Sequence, residues 1–240
     1  MKHKKIGKCH LYNADCFKLF KKWFVEGKKF DLIVTDPPYQ LDRINTGGSI
    51  NNKKGLNKSL QQLNKDNLIH GFDIEVFADY VNKLQDNINL FVWCSIKQVY
   101  PLLKTFVGKY KCKYTILCWH KPNALPTYSN KYLSDTEYCL YLHNGKGMCK
   151  PECYDDAKTW WTNPINHKDK KLYGHPTIKP LYMIEQIVRN CSRKGDLVLD
   201  CFMGSGTTGV ACRKLGRRFV GIEILEEYYK LSKRRIINKE

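Results

Sequence analysis

Residues 197–224, LVLDCFMGSGTTGVACRKLGRRFVGIEI, decide the fold. The run up to Asp200 is apolar on both faces, as in a buried strand of a parallel sheet. A turn carrying Gly204, Gly206 and Gly209 follows. A helix is expected over 207–215 and a second strand over 219–224, with Glu223 near its end. Strand, glycine turn and helix in this order bring backbone N–H groups up to a ligand lying on the helix N-terminus. Glu223 can accept hydrogen bonds from both hydroxyls of a ribose. The glycines spell G-x-G-x-x-G with an acid about 20 residues on. These residues alone leave three readings open: a nicotinamide dinucleotide, S-adenosylmethionine, or a purely structural turn. Little sequence follows Glu223. The remaining strands are therefore expected from the N-terminal part, which argues against a second dinucleotide-binding half and for a circularly permuted sheet.

Upstream, residues 30–39 read FDLIVTDPPY. FDLIVT is a second buried strand, and it runs directly into Asp36-Pro37-Pro38-Tyr39. The two prolines fix φ and remove two amide donors. What remains is a stiff turn in which the Asp36 carboxylate and the Pro37 carbonyl can accept hydrogen bonds. That arrangement suits methylation of an adenine amine, whose lone pair is delocalised into the ring. Two acceptors on its hydrogens favour pyramidal nitrogen and stabilise the charge that develops. Tyr39 can stack on the base. An isolated Asp-Pro-Pro is also an ordinary loop start. Both motifs, however, fall at the carboxyl ends of strands, where doubly wound sheets bind ligands.

The rest of the chain alternates in the same manner. Strands are expected over 8–12, 90–94, 114–119 and 137–142. Helices are expected over 16–25, 74–88, 96–107, 181–191 and 226–236. Two stretches break the pattern. Residues 40–72 are rich in Asn, Lys, Gly and Ser, and long for a loop, which is usually a functional sign. Residues 145–174 are polar and basic but carry Tyr154, Trp160 and Trp161, and suggest a small extra lobe.

The bulk properties fit one α/β domain over 1–240. Hydrophobic residues make up 42% and aromatics 12%, which excludes a disordered chain. The net charge of +18, from 41 basic and 23 acidic residues, points to a polyanionic partner. The 11 cysteines are odd in number and lie mostly in apolar runs, the usage of a reducing compartment. Cys149 and Cys153 lack a second pair at finger spacing, so no metal site is expected. The start, MKHKKIGK, has no apolar run behind it, and no segment has the roughly 18 apolar residues of a membrane helix. The expectation is a cytoplasmic protein with no membrane partner.

The whole chain resembles the permuted amino-methyltransferases of DNA, in which the catalytic DPPY comes first and the cofactor turn last. NADCF (13–17), FVWCS (91–95), WHKPNALP (119–126), SDTEYCLYL (134–142) and HPTIKP (175–180) carry the likeness beside the two motifs. Cys201 stands where that family usually has Pro, which leaves the turn intact. The resemblance implies a Rossmann-like, seven-stranded mixed sheet with one antiparallel strand. It implies S-adenosylmethionine as cofactor and adenine N6 as target, Asp rather than Ser at position 36 favouring adenine. Asp36, Pro37, Pro38 and Tyr39 would be catalytic. Asp200, Phe202, Gly204, Gly206, Thr207, Thr208 and Glu223 would hold the cofactor together with Asp36. Asp15 and Cys16 would lie against its adenine, and Thr177 and Lys179 near its methionine end. Asp15 could equally cap the helix that begins at Cys16.

Double-stranded DNA is the implied partner, with a homodimer and a cognate restriction enzyme as further ones. Residues 40–72 would lie beside the flipped base. Residues 145–174 would serve target recognition. Lys158, Lys168, Lys170 and Lys171 are candidates for phosphates, and Arg43 and Asn45 for bases. The rivals are cytosine N4 in DNA, an adenine in RNA, a dinucleotide-dependent oxidoreductase, and a non-catalytic nucleic-acid-binding protein.

Overall fold

The computed structural model describes residues 1–40, 71–124, 132–146, 149–165, 171–175 and 177–239. Among the described residues, nine strands form a single mixed sheet: β1 (Lys2–Ile6), β2 (Cys9–Asn13), β3 (Leu32–Thr35), β4 (Asn89–Cys94), β5 (Lys113–His120), β6 (Thr136–His143), β7 (Trp160–Thr162), β8 (Leu197–Asp200) and β9 (Arg218–Glu223). Their spatial order is β1-β2-β9-β8-β3-β4-β6-β5-β7. Strands β2, β9, β8, β3 and β4 are mutually parallel. Strand β6 is antiparallel to β4 and β5, and β1 is antiparallel to β2.

Helices cover both faces. On one lie α1 (Cys16–Val25), α2 (Ile74–Lys83) and α3 (Ile96–Gly108), and on the other α4 (Leu181–Cys191), α5 (Thr207–Lys214) and α6 (Glu226–Asn238). The alternation of side chains along a strand divides the core in two. Leu32, Val34, Phe91 and Trp93 face the α4–α6 side, while Ile33, Leu90, Val92 and Cys94 face α1–α3. Both faces are buried, which is why these strands read as continuous apolar runs.

The seven expected strands are all present, but the sheet has nine. Strand β1 was missed because its sequence, KHKKI, has no apolar face and four of its five residues are exposed. Register holds it instead: Ile6 pairs with Cys9 across a two-residue turn, where Gly7 takes φ +57°. Strand β7 lies inside the polar stretch 145–174 and pairs in parallel with Cys118–His120 of β5. That stretch is therefore partly woven into the fold. Gln186 and Asn190 of α4 donate to the Asp156 carbonyl at 3.0 and 2.8 Å. Trp161 Nε1 donates to Gln186 Oε1 at 2.7 Å. The helix expected over 74–88 ends at Lys83, because Gln85 and Ile88 turn their hydrogen bonds to Asn89 and Asn144.

Candidate active site

Four adjacent parallel strands end on one side of the sheet, and each delivers a polar group there. Strand β3 leads to Asp36, β8 ends in Asp200, β9 in Glu223, and β2 leads to Asp15. Between them opens a cavity of about 340 Å³. Asp15, Cys16, Asp36, Pro38, Thr177, Lys179, Asp200, Phe202, Gly204, Thr207, Thr208 and Glu223 all line it. The structure thus gathers most of the residues singled out from sequence, from segments as far apart as Asp15 and Glu223. Pro37, Tyr39 and Gly206 adjoin its lining residues in sequence without lining it themselves.

The glycine turn forms one half of the cavity. Gly206 is the N-cap of α5 at φ +82°, and a Cβ there would lie 2.7 Å from the Ser232 Cβ. Only glycine suits both demands. Glu223 grips this turn, accepting from Gly204 N through Oε2 and from Leu225 N through Oε1, both at 2.8 Å. Asp15 both caps α1, through Phe17 N at 2.9 Å, and lines the cavity. Asp200 is buried, with Oδ1 accepting from Thr35 Oγ1 at 3.0 Å and Phe202 N at 3.2 Å. Burial outweighs these bonds and lifts its carboxyl to about 7.

The other half is a buried charge network around Asp36. Lys179 Nζ lies 2.5 Å from Asp36 Oδ2 and 3.2 Å from Glu137 Oε2. Lys121 pairs with the other Glu137 oxygen. Tyr39 accepts from Lys179 and donates to Glu137, both at 3.2 Å. Burial, helped by the Glu137 charge, pushes Asp36 above the ordinary carboxylate range, with Lys179 opposing. Burial would raise Glu137 too, but Lys179 and then Lys121 outweigh it and hold Glu137 at about 2. Asp36 Oδ1 is buried and has no hydrogen-bond partner among the described residues. The Pro38 carbonyl accepts from Gln98 Nε2 at 3.0 Å, which fixes the far end of the turn.

Of the expected DNA-contacting residues, Arg43, Asn45, Lys168 and Lys170 lie outside the described residues. Lys158 is ion-paired with Asp155 at 2.6 Å and sits over the rings of Tyr154 and Trp160. Lys171 is exposed. Residues 41–70, expected beside the flipped base, also lie outside the described residues; Gly71 N, which follows them, donates to the Tyr39 carbonyl at 3.3 Å.

Residues 30–234 match the family described as DNA methylase, acting at N6 or N4 by its label N6_N4_Mtase. The chain belongs to this DNA methylase family. The type II methyltransferase M2.DpnII of Streptococcus pneumoniae is 30% identical over 247 residues, covering 96% of this chain and 90% of the relative. The crystal structure of an M1.HpyAVI–SAM complex superposes with a TM-score of 0.69 at 27% identity, over 95% of this chain and 98% of that one. The cytosine-N4-specific PvuII DNA methyltransferase shares the fold, with a TM-score of 0.66 at 20% identity over 97% and 93% of the two chains.

In this DNA methylase several site residues went unassigned in the sequence. Glu137 and Lys121 sit in stretches that carry the family likeness, SDTEYCLYL and WHKPNALP, but nothing local marks them as partners of Lys179. His175 opens HPTIKP; it is buried, lines the cavity and packs its ring 4.3 Å from that of Tyr228. Trp93 also lines the cavity, with Lys179 Nζ 4.9 Å from its ring centre. Lys179 was expected near the methionine end of a cofactor; in the structure its amine is held by Asp36.

Proposed function

We propose that this DNA methylase transfers a methyl group from S-adenosylmethionine to the N6 amine of adenine at a specific site in double-stranded DNA. The observation that carries the proposal is Asp36. One carboxylate oxygen is held by Lys179, and the other is a buried acceptor without a donor among the described residues, beside a cavity floored by a glycine turn. An unmet buried acceptor costs free energy unless a ligand donates to it, and an exocyclic amine does so. When bound, S-adenosylmethionine supplies an electrophilic methyl group.

Everything else in the reaction falls to the chain. The helix N-terminus at Thr207 and the Glu223 carboxylate would hold the cofactor, with Asp15, Cys16 and Thr177 completing its site. Asp36 Oδ1 and the Pro37 carbonyl accept the two hydrogens of the target amine and stabilise its developing charge. Tyr39 presents its ring to the extruded base. The turn fixed by two prolines and by Gln98 leaves these groups little to reorganise. The order of the motifs, DPPY before the glycine turn, supports a circularly permuted arrangement. M2.DpnII bears the name of a type II methyltransferase, which extends the proposal to a cognate restriction enzyme. Asp at position 36 favours adenine over cytosine N4.

Asp36→Ala tests the assignment. Methyl transfer to DNA should fall at least about 100-fold, well beyond any loss of cofactor affinity measured by calorimetry. A variant that still methylates DNA at the parent rate would overturn it.

A further inference from the structure

Asp36 is a poor candidate for a buried anion on its own. Its carboxylate is enclosed by the sheet, and the groups that face it come from five elements. Lys179 approaches from the segment before α4, Glu137 and Cys139 from β6, Cys94 from β4, Asp200 from β8, and Tyr39 from its own turn. Among the described residues, Lys179 is the cation in direct contact with it. Lys179 is itself buried, at 6% exposure, and its amine is fixed on the other side by Glu137. Glu137 in turn is anchored by Lys121 and receives the Tyr39 hydroxyl.

From this geometry we infer that Glu137 and Lys179 form a positioning pair that sets the charge state of Asp36 and fixes Tyr39 beside it. The inference rests on the methyl-transfer reading for its catalytic consequence, but the electrostatic part stands on the free protein. Asp36 must be ionised to accept both from the target amine and from Lys179. Lys179 supplies the counter-charge that allows this. Glu137 acts in both directions: it orients Lys179, and its own negative charge disfavours ionisation of Asp36. The two residues therefore predict opposite effects, which a merely structural role would not produce.

The test is a pair of isosteric or near-isosteric variants read by two measurements. In Lys179→Met the acid limb of kcat/KM against pH should move to higher pH, because Asp36 loses its counter-charge. In Glu137→Gln the limb should move to lower pH, while kcat falls about 10- to 100-fold as Tyr39 and Lys179 lose their anchor. Lys179→Arg should restore the position of the limb and thereby show that charge, not packing, is responsible. Carbon-13 carboxyl NMR on the free protein, with Asp36→Asn to assign the signal, should show the same two shifts in the titration of Asp36. Unchanged Asp36 titration in both variants, or shifts of the same sign, would overturn the inference. Shifts of opposite sign in a protein that never methylates DNA would leave the network standing and remove the methyl-transfer reading instead.

Discussion

Asp200 is buried at the end of β8, and burial favours its neutral form. Its folded carboxyl titrates at about 7, against about 4 in an unfolded chain. The folded protein then binds more protons than the unfolded chain between those values. Stability is lost as pH rises from about 4 through about 7. Asp200→Asn should flatten that part of the stability curve, by no more than roughly 4 kcal/mol across the window, in urea titrations at several pH values. The positive charges of the proposed cofactor favour ionised Asp200. Calorimetry should therefore show affinity rising with pH up to about 7, with proton release that the Asn variant lacks. Asp36, Asp200 and Glu223 were legible in the sequence because each follows an apolar strand at a fixed place. Glu137 was not, since its meaning depends on Lys179, 42 positions away and brought close only by the sheet.

At the scale of elements, the glycine turn and the strand β7 make separable predictions. Gly206→Ala puts a side chain at φ +82° and against Ser232 of α6. It should cost about 1–3 kcal/mol of stability, measured by thermal or urea unfolding, and weaken cofactor binding with it. Trp161→Phe leaves Gln186 Oε1 without its buried donor. It should cost about 1–3 kcal/mol, measured by urea unfolding. Such elements differ in legibility for a physical reason. Strands buried on both faces write themselves as apolar runs, so β3, β4 and β8 could be read directly. Strand β1 is held by register and by a tight turn, and β7 by hydrogen bonds to α4, neither of which leaves an apolar pattern. Within 145–174, Trp161 packs into the core and bonds to Gln186, a role that the surrounding polar sequence hides.

For the whole molecule, the net charge of +18 makes DNA affinity a function of salt. Neutralising about six phosphates would lower affinity by about 10³ between 50 and 200 mM salt, readable in anisotropy titrations on a duplex; a flat salt dependence would argue against a phosphate-dominated contact. Charge alone does not say what is done to the nucleic acid, and the fold, shared with a cytosine-N4-specific enzyme, does not choose the acceptor. In the proposed function that choice rests on Asp rather than Ser at position 36, which by family resemblance favours adenine. It is tested most directly by incubating the protein with labelled S-adenosylmethionine and DNA, RNA or no acceptor, and digesting the product to nucleosides. The account predicts label in N6-methyldeoxyadenosine from DNA. Label in N4-methyldeoxycytidine, in RNA alone, or in no nucleoside would contradict it.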